Sequence, residues 1–329
     1  MKTLALIFSL AALHAGQGYQ TDFTKFKAGM PGPNNEGDYV IQPPFVNAPE
    51  LTLQPSVPHG HLIEFVMDST TSRIYPGIAK AQPLKLVPYH RRVTIYIPPG
   101  PFKSPLPFFV AQDSLGRGEI PVMLDNMLAA KRLPAMVGIF IDSGGDDSLG
   151  SERGLEYDTL SSRYADFIEE EVIPEVEKRG GVTLTKNPEG RMSMGGSSGA
   201  ACAFSMAWYR TERYHRVLLY SGTFVNQQWP YDPATPHGAW EYHDHLIPET
   251  KRKPIRIWME VGENDLRSQD PESTYHNWVM ANNRFATVLK AKGYHYQYVF
   301  ARNARHVDGG VVRQTLPEAF EFVWKGYRP

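Results

Sequence analysis

Between residues 106 and 210 the chain repeats one pattern: a short apolar run, a turn, then a longer segment whose apolar residues recur every three or four positions. "LPFFVAQD" leads to "EIPVMLDNMLAAKR", "AMVGIFIDS" to "TLSSRYADFIEEEVIPEVEKR", and "RMSMG" to "SSGAACAFSMAWYR". Apolar strands alternating with amphipathic helices predict a mainly parallel sheet covered by helices on both faces. Further strands are expected at "RVLLYSG", "IRIWMEVG" and "YQYVFAR", with helices near 274–292 and 316–325. Ahead of this region, "HLIEFVM" (61–67) and "RRVTIYIP" (91–98) read as strands of an antiparallel N-terminal edge, the second by strict alternation. In the helix near 159–179, Leu160, Tyr164, Phe167, Ile168 and Val172 form one apolar stripe, and Pro174 is expected to kink it.

Residues 19–60 break the pattern. Their proline, glycine and asparagine content resists helix and central strand, so they read as an irregular arm packed on a catalytic body spanning 61–329. The first 18 residues, "MKTLALIFSLAALHAGQG", carry one lysine, a short apolar stretch and then small residues, the layout of a cleaved secretory signal. A secreted or periplasmic location is therefore expected, with no membrane association once the signal is removed. Cys202 is the sole cysteine of the 329 residues, so no intramolecular disulfide can form. Lys and Arg number 34 against 35 Asp and Glu, a formal net charge of -1 that gathers neither nucleic acid nor anionic lipid. With 42% hydrophobic residues the chain can bury a large core, and its partners must be argued from local sites.

One such site stands at "MGGSSGA" (194–200), between a strand and an alanine-rich helix. In the register Gly195-x-Ser197-x-Gly199, the glycines allow a strand-to-helix turn too tight for a β-carbon, which exposes the serine hydroxyl at the strand's C-terminal end. Ser197 is the candidate nucleophile; Ser198, in a register using Gly196 and Ala200, is the weaker choice. A serine needs a base to take its proton and a carboxylate to orient that base. On this kind of turn the acid and then the histidine follow in sequence, each just past a strand. Asp265, a few residues beyond "IRIWMEVG", is the chosen acid ahead of Glu263. His276 falls in a helical pattern and His295 in a strand approach, which leaves His306 as the base. The oxyanion calls for backbone donors, assigned to Ser198 and to the loop at Asp113 or Ser114, with Ser114 preferred.

These stretches resemble the esterase family of α/β-hydrolases that includes enterochelin esterases and the feruloyl and acetylxylan esterases of carbohydrate esterase family 1. "VTIYIPPG", "FFVAQDS", "RGLEY" with "EEEVIPEVE", "MGGSSGA", "VGENDL" and "RHVDGG" carry the likeness from about 61 to 327. It implies the α/β-hydrolase fold and a serine hydrolase with Ser197, Asp265 and His306 as its triad and no cofactor. "RxxEY" at 153–157 looks like the enterochelin-esterase branch, in which Arg153 is a substrate-binding candidate. Two departures stand out: Gln112-Asp113 occupies the place of a histidine-glycine pair, and no glycine immediately precedes His306.

The segment 223–254 is rich in aromatic and amide side chains, suited to stacking on a sugar or phenolic ring. Gln228, Trp229 and Trp240 are its candidate substrate contacts. Neither His243-Asp244-His245 nor His59-Gly60-His61 has the spacing of a well-specified zinc site, and no metal is assigned. The expected activity is hydrolysis of a carboxylic ester of a carbohydrate, phenolic or related small substrate through an acyl-enzyme. The alternatives are a siderophore esterase and a non-catalytic carbohydrate-binding protein on a hydrolase scaffold.

Overall fold

The computed structural model describes residues 22–77, 86–102, 105–144 and 152–328. The proposed signal segment 1–18 lies outside the described residues. Ten strands form one mixed sheet: β1 (Lys27–Ala28), β2 (Gly37–Ile41), β3 (His61–Asp68), β4 (His90–Ile97), β5 (Phe108–Gln112), β6 (Val137–Ile141), β7 (Arg191–Gly196), β8 (Arg216–Tyr220), β9 (Arg256–Asn264) and β10 (His295–Arg305). Their spatial order is β1-β2-β10-β9-β8-β7-β5-β6-β4-β3. From β6 across to β1 every pairing is parallel, while β3 and β4 are antiparallel to each other and β4 to β6. The expected parallel sheet with an antiparallel N-terminal edge is the observed one.

Every residue of β5, β6, β7 and β8 is buried, which is why these strands read as continuous apolar runs. Alternate side chains go to opposite layers. Phe108, Val110, Val137 and Ile139 join the layer built with the helices α2 (Glu152–Tyr157), α3 (Arg163–Phe167), α4 (Ile173–Gly180), α5 (Ser198–Tyr209), α6 (Ile247–Glu249) and α7 (Trp278–Ala291). Phe109, Ala111 and Phe140 join the layer with α1, formed before them by Ile120–Ala129, and α8 (Gly309–Trp324).

Pro174 acts where the sequence placed it, with a more specific result than a kink. A π-helical turn, Ile168–Val172, separates α3 from α4, and Pro174 falls within the first two residues of α4. Widening the turn removes the clash between the proline ring and the carbonyl four residues back. Tyr242–Leu246 is a second π-helical turn, ahead of Pro248 in α6.

The arm is the main correction to the sequence reading. Rather than being irregular throughout, it supplies β1 and β2, and β2 lies parallel to β10 from Gly37↔Gln297 to Ile41↔Ala301. Glycines and prolines around these five residues of β2 hid a strand whose Tyr39 and Ile41 are buried. Farther on, the arm is fastened by Asp125 of α1. Gly60 N donates to its Oδ1 at 2.9 Å, the Tyr96 hydroxyl to the same oxygen at 2.7 Å, and His59 Nδ1 lies 3.1 Å from its Oδ2. His59 therefore serves an arm-to-body contact.

Asp125→Ala leaves the buried Tyr96 hydroxyl and the Gly60 amide without their acceptor, so a loss of roughly 2–3 kcal/mol is expected. Urea unfolding checks this, and limited proteolysis should cut the arm faster in the variant. Equal midpoints for variant and parent would show that the Asp125 contacts hold nothing.

Candidate active site

Gly195 and Gly199 stand where the C-terminal end of β7 passes under the start of α5. A β-carbon on Gly195 would lie 2.4 Å from the Gly199 carbonyl carbon, and one on Gly199 would lie 3.1 Å from Gln112 Cβ. Only glycine fits at the first position. The residue between them, Ser197, is forced to φ 57°, ψ −130°, a conformation that ordinary L-residues avoid. Ser197 N donates to the Tyr220 carbonyl at 3.0 Å, and Thr223 N donates to the Ser197 carbonyl at 3.1 Å, so β8 grips the turn from one side. Ser198 begins α5, where backbone N–H groups lack intrahelical acceptors. Its side chain is fully buried and accepts from Gln227 Nε2 at 3.0 Å, which settles Ser197 as the serine at the turn.

Asp265 and His306 meet directly. Asp265 follows β9 with a side chain that is 0% exposed, and its Oδ1 lies 2.5 Å from His306 Nδ1. Leu266 N donates to the same Oδ1 at 2.6 Å. A carboxylate only accepts, so Nδ1 carries the proton and Nε2 keeps its lone pair. The His306 turn is pinned by Val307 N donating to Ser221 Oγ at 2.9 Å and Arg305 N to Asp308 Oδ2 at 3.3 Å. Val307 in turn packs so near the Ser197 turn that a β-carbon on Gly196 would be 3.1 Å from it. The alternatives are occupied elsewhere: Glu263 accepts from Asn303 N, His276 Nδ1 faces the Thr274 carbonyl, and His295 pairs with Glu36. Ser197 Oγ itself lies 3.3 Å from Thr223 Oγ1, and no hydrogen bond joins it to His306. Such contacts tighten when a substrate arrives.

Ser114 does not fit the role of oxyanion donor. Its N–H donates to the Ile141 carbonyl at 3.2 Å, and its hydroxyl to Asp142 Oδ1 at 2.5 Å, so it ties the loop to the end of β6. Asp113 is the residue that stands over the start of α5, its Oδ2 3.4 Å from the β-carbon position of Gly199. Its N–H donates to the Tyr157 hydroxyl at 3.2 Å. The Arg153-x-x-Glu156-Tyr157 spacing now has a local reason. Arg153 Nη2 binds Asp113 Oδ2 at 2.6 Å; Glu156 is buried against Arg91 and accepts from the Tyr89 hydroxyl at 2.9 Å and Gly144 N at 3.2 Å; Tyr157 receives Asp113 N. Residues three and four apart share a helix face. α2 is thus a strut between the loop beside the serine and the sheet, and Arg153, 7% exposed, has its charge met by Asp113.

Of the substrate candidates, Trp240 is buried at 1% exposure beneath Arg284 and against Tyr275 and His243, so it belongs to the core. Gln228 Oε1 accepts from Thr235 Oγ1 at 3.0 Å, and Trp229 packs half-buried on the core edge. His243 is buried with Nε2 3.0 Å from the Phe224 carbonyl; burial holds its pKa down at about 3, so it is neutral. Sequence reasoning missed Thr223, Gln227 and Trp278. Gln227 Nε2 bridges Ser198 Oγ and Asp158 Oδ2, while Trp278 Nε1 donates to Thr223 Oγ1 at 3.3 Å and the ring packs edge-on against His306. Thr223 and Gln227 lie just past the C-terminal end of β8, the same topological place that identified the acid past β9.

A family model described as "Putative esterase" matches residues 87–320. No curated protein matches the chain. Among solved structures, an enterochelin esterase from Shigella flexneri superposes with a TM-score of 0.55 at 18% identity, covering 83% of this chain and 60% of that one. This chain thus spans about three-fifths of the enterochelin esterase it matches. A ferulic acid esterase superposes with a TM-score of 0.58 at 14% identity over 82% of this chain and 99% of its own. The CE1 ferulic acid esterase of the anaerobic fungus Anaeromyces mucronatus gives 0.57 at 13% identity, over 85% and 96%. At these identities the likeness is one of fold, the α/β-hydrolase fold.

Two buried carboxyls flank the site. Glu260 of β9 has both oxygens buried without a hydrogen-bond partner; burial, then the neighbouring Asp265 and Asp308, push its pKa well up. Glu152 at the start of α2 is raised from 4.5 to about 7 by burial and then by Glu156. A carboxyl whose pKa rises on folding is held more tightly protonated in the folded state, so its contribution is greatest below 4.5 and is lost as pH climbs through about 7. Stability should therefore fall between pH 5 and 7, and Glu152→Gln should flatten that fall by on the order of 1–3 kcal/mol. Urea midpoints at pH 5, 6 and 7 check this; parallel profiles for the two proteins would count against it.

Proposed function

The chain belongs to the esterase family whose model spans residues 87–320, and from that membership we propose an exported serine esterase that works through an acyl-enzyme. The observation that carries this reading is the 2.5 Å hydrogen bond from His306 Nδ1 to buried Asp265, on loops that flank the strained Ser197 turn. His306 Nε2 takes the Ser197 proton as Oγ attacks the ester carbonyl carbon. The carbonyl oxygen becomes an oxyanion beside the Ser198 N–H at the head of α5, where the helix dipole adds favourable potential. The tetrahedral intermediate collapses, the C–O bond to the alcohol breaks, and the leaving oxygen takes the proton from His306. Water then repeats the sequence on the acyl-enzyme: His306 accepts its proton, the carboxylic acid leaves, and Ser197 Oγ is reprotonated. Asp265 keeps the imidazole in the required tautomer and stabilises its charged form in both halves.

The substrate class follows from charge. Asp113 neutralises Arg153, so that arginine offers no free positive charge for a polyanionic siderophore. This favours an ester of a carbohydrate or phenolic acid, with half-buried Trp229 and the amides of Gln227 and Gln228 as its surroundings. The likeness to a ferulic acid esterase over nearly its full length supports the same choice.

Ser197→Ala should lower hydrolysis of p-nitrophenyl acetate by more than about 1000-fold, with the circular dichroism spectrum unchanged. His306→Ala should do the same, and Asp265→Asn should cost roughly 100- to 10,000-fold in kcat. A fluorophosphonate should label the parent and not Ser197→Ala; turnover or labelling retained in that variant refutes the nucleophile. Methyl ferulate or acetylated xylan turning over faster than ferric enterobactin would support the substrate class, and the reverse order would overturn it.

A further inference from the structure

Thr223 lies past β8 with 1% exposure, its Oγ1 3.3 Å from the Ser197 oxygen and also 3.3 Å from Trp278 Nε1. An indole N–H only donates, so Trp278 must use one lone pair of the Thr223 oxygen. With one lone pair taken, the threonine's own proton is free to point to its other contact, Ser197 Oγ, 3.3 Å away. With a donor already on it, Ser197 Oγ directs its own proton away from Thr223, towards the side where His306 stands. Three of the groups are linked at rest, Trp278 to Thr223 and Thr223 to Ser197, and the chain is completed when the Ser197 proton turns to His306. Successive hydrogen bonds of this kind polarise one another.

The parts that fix this direction are rigid. Trp278 is the first residue of α7, 4% exposed, and its backbone N–H donates to the Leu266 carbonyl at 3.3 Å. Asn277, the fully buried N-cap, accepts from Met280 N at 2.9 Å and donates to the carbonyls of Ser268 and Asp270. The Trp278 ring meets the His306 ring edge-on at 6.2 Å, which buttresses the base with the same side chain that orients Thr223. The Thr223 backbone is tied to Ser197 through its own N–H.

Building on the proposed role of Ser197, we propose that Thr223 is a further catalytic residue, oriented by Trp278, that donates a hydrogen bond to the nucleophilic oxygen. The proton that moves is that of Ser197, which passes to His306 Nε2; Thr223 keeps its own throughout. As negative charge grows on Oγ, a hydrogen bond that is long at rest shortens and strengthens. The same donor serves deacylation, in which Oγ departs from the acyl carbon and again carries charge. This places Thr223 on the flank of Ser197 next to the base, while Ser198 N–H and the Asp113 loop stand towards β5.

The test reads the reactivity of Ser197 directly, as the second-order rate of fluorophosphonate labelling between pH 5 and 9, beside kcat and KM for p-nitrophenyl acetate. Thr223→Val keeps the shape and removes the hydroxyl; labelling and kcat should fall about 10- to 100-fold with KM changed less than about twofold. Thr223→Ser should restore the rate to within about threefold. Trp278→Phe keeps a ring against His306 and removes the N–H; its rate should fall about 3- to 10-fold, and adding it to Thr223→Val should cost nothing more, since Trp278 acts through Thr223. Thermal melts confirm that each variant is folded, and Thr223→Ala replaces the valine variant if that one is not. Wild-type labelling rates in Thr223→Val or Thr223→Ala, or multiplied losses in the double variant, would overturn this inference. Failure of the parent to label at Ser197 would instead overturn the nucleophile on which it rests.

Discussion

The close approach of two backbones at the end of β7 is the constraint on which the site depends. Where Gly195 passes Gly199, a single β-carbon would sit 2.4 Å from a carbonyl carbon, so the helix can begin only if the position is glycine. That approach leaves Ser197 no ordinary backbone conformation, and the strain at φ 57° is held by Tyr220 and Thr223 on one side and by the buried α5 on the other. The alanine-rich helix serves the same end. Ala200, Ala201, Ala203 and Ala207 are buried at 2% exposure or less, and only small residues let α5 lie this close to the sheet. The hydroxyl is thus lifted by packing beneath it.

Around that turn, each neighbouring strand delivers a side chain from its C-terminal end. β5 delivers Asp113, β8 delivers Thr223, β9 delivers Asp265 and β10 delivers His306. Parallel strands put all these ends on one edge of the sheet, so residues far apart in sequence converge without any long loop having to reach. The order β10-β9-β8-β7-β5 also separates them: Asp265 and His306 lie on one side of Ser197, and the Asp113 loop on the other.

The sheet, the helical layers, the serine turn and the Asp265–His306 pair were legible because each rests on a local pattern: apolar runs, 3.6-residue periodicity, paired glycines, or position just past a strand. What sequence could not show was direction of contact. Trp240 reads as a surface aromatic because its neighbours are polar, yet Arg284 and Tyr275 close over it. Arg153 reads as a free cation because its partner Asp113 is forty residues away. Ser114 and Asp113 are adjacent, and only the fold shows that their N–H groups are taken by different partners, the Ile141 carbonyl and the Tyr157 hydroxyl. β2 was hidden because its five residues sit among breakers and gain their order only from β10. The start of α8 was hidden for a related reason: Gly309 and Gly310 are poor helix formers, and the helix starts there because Asp308 caps it through Gly310 N and Val311 N.

Asp308 links this capping to the chemistry. One of its oxygens caps α8, the other accepts from Arg305 N, and His306 and Val307 lie between the bonded residues. Moving His306 therefore disturbs the cap of a helix that packs into one core layer. Behind the same turn sits Glu260, whose pKa is pushed well up by burial and then by Asp265 and Asp308, which disfavours a second negative charge behind the Asp265–His306 pair. His306 fixed to a helix cap, Ser197 fixed by a backbone crossing and Asp265 sealed from water leave few internal motions to be frozen when a substrate binds. On the proposed mechanism, what is left to reorganise is the Ser197 hydroxyl, 3.3 Å from Thr223 Oγ1, which must turn its proton to His306.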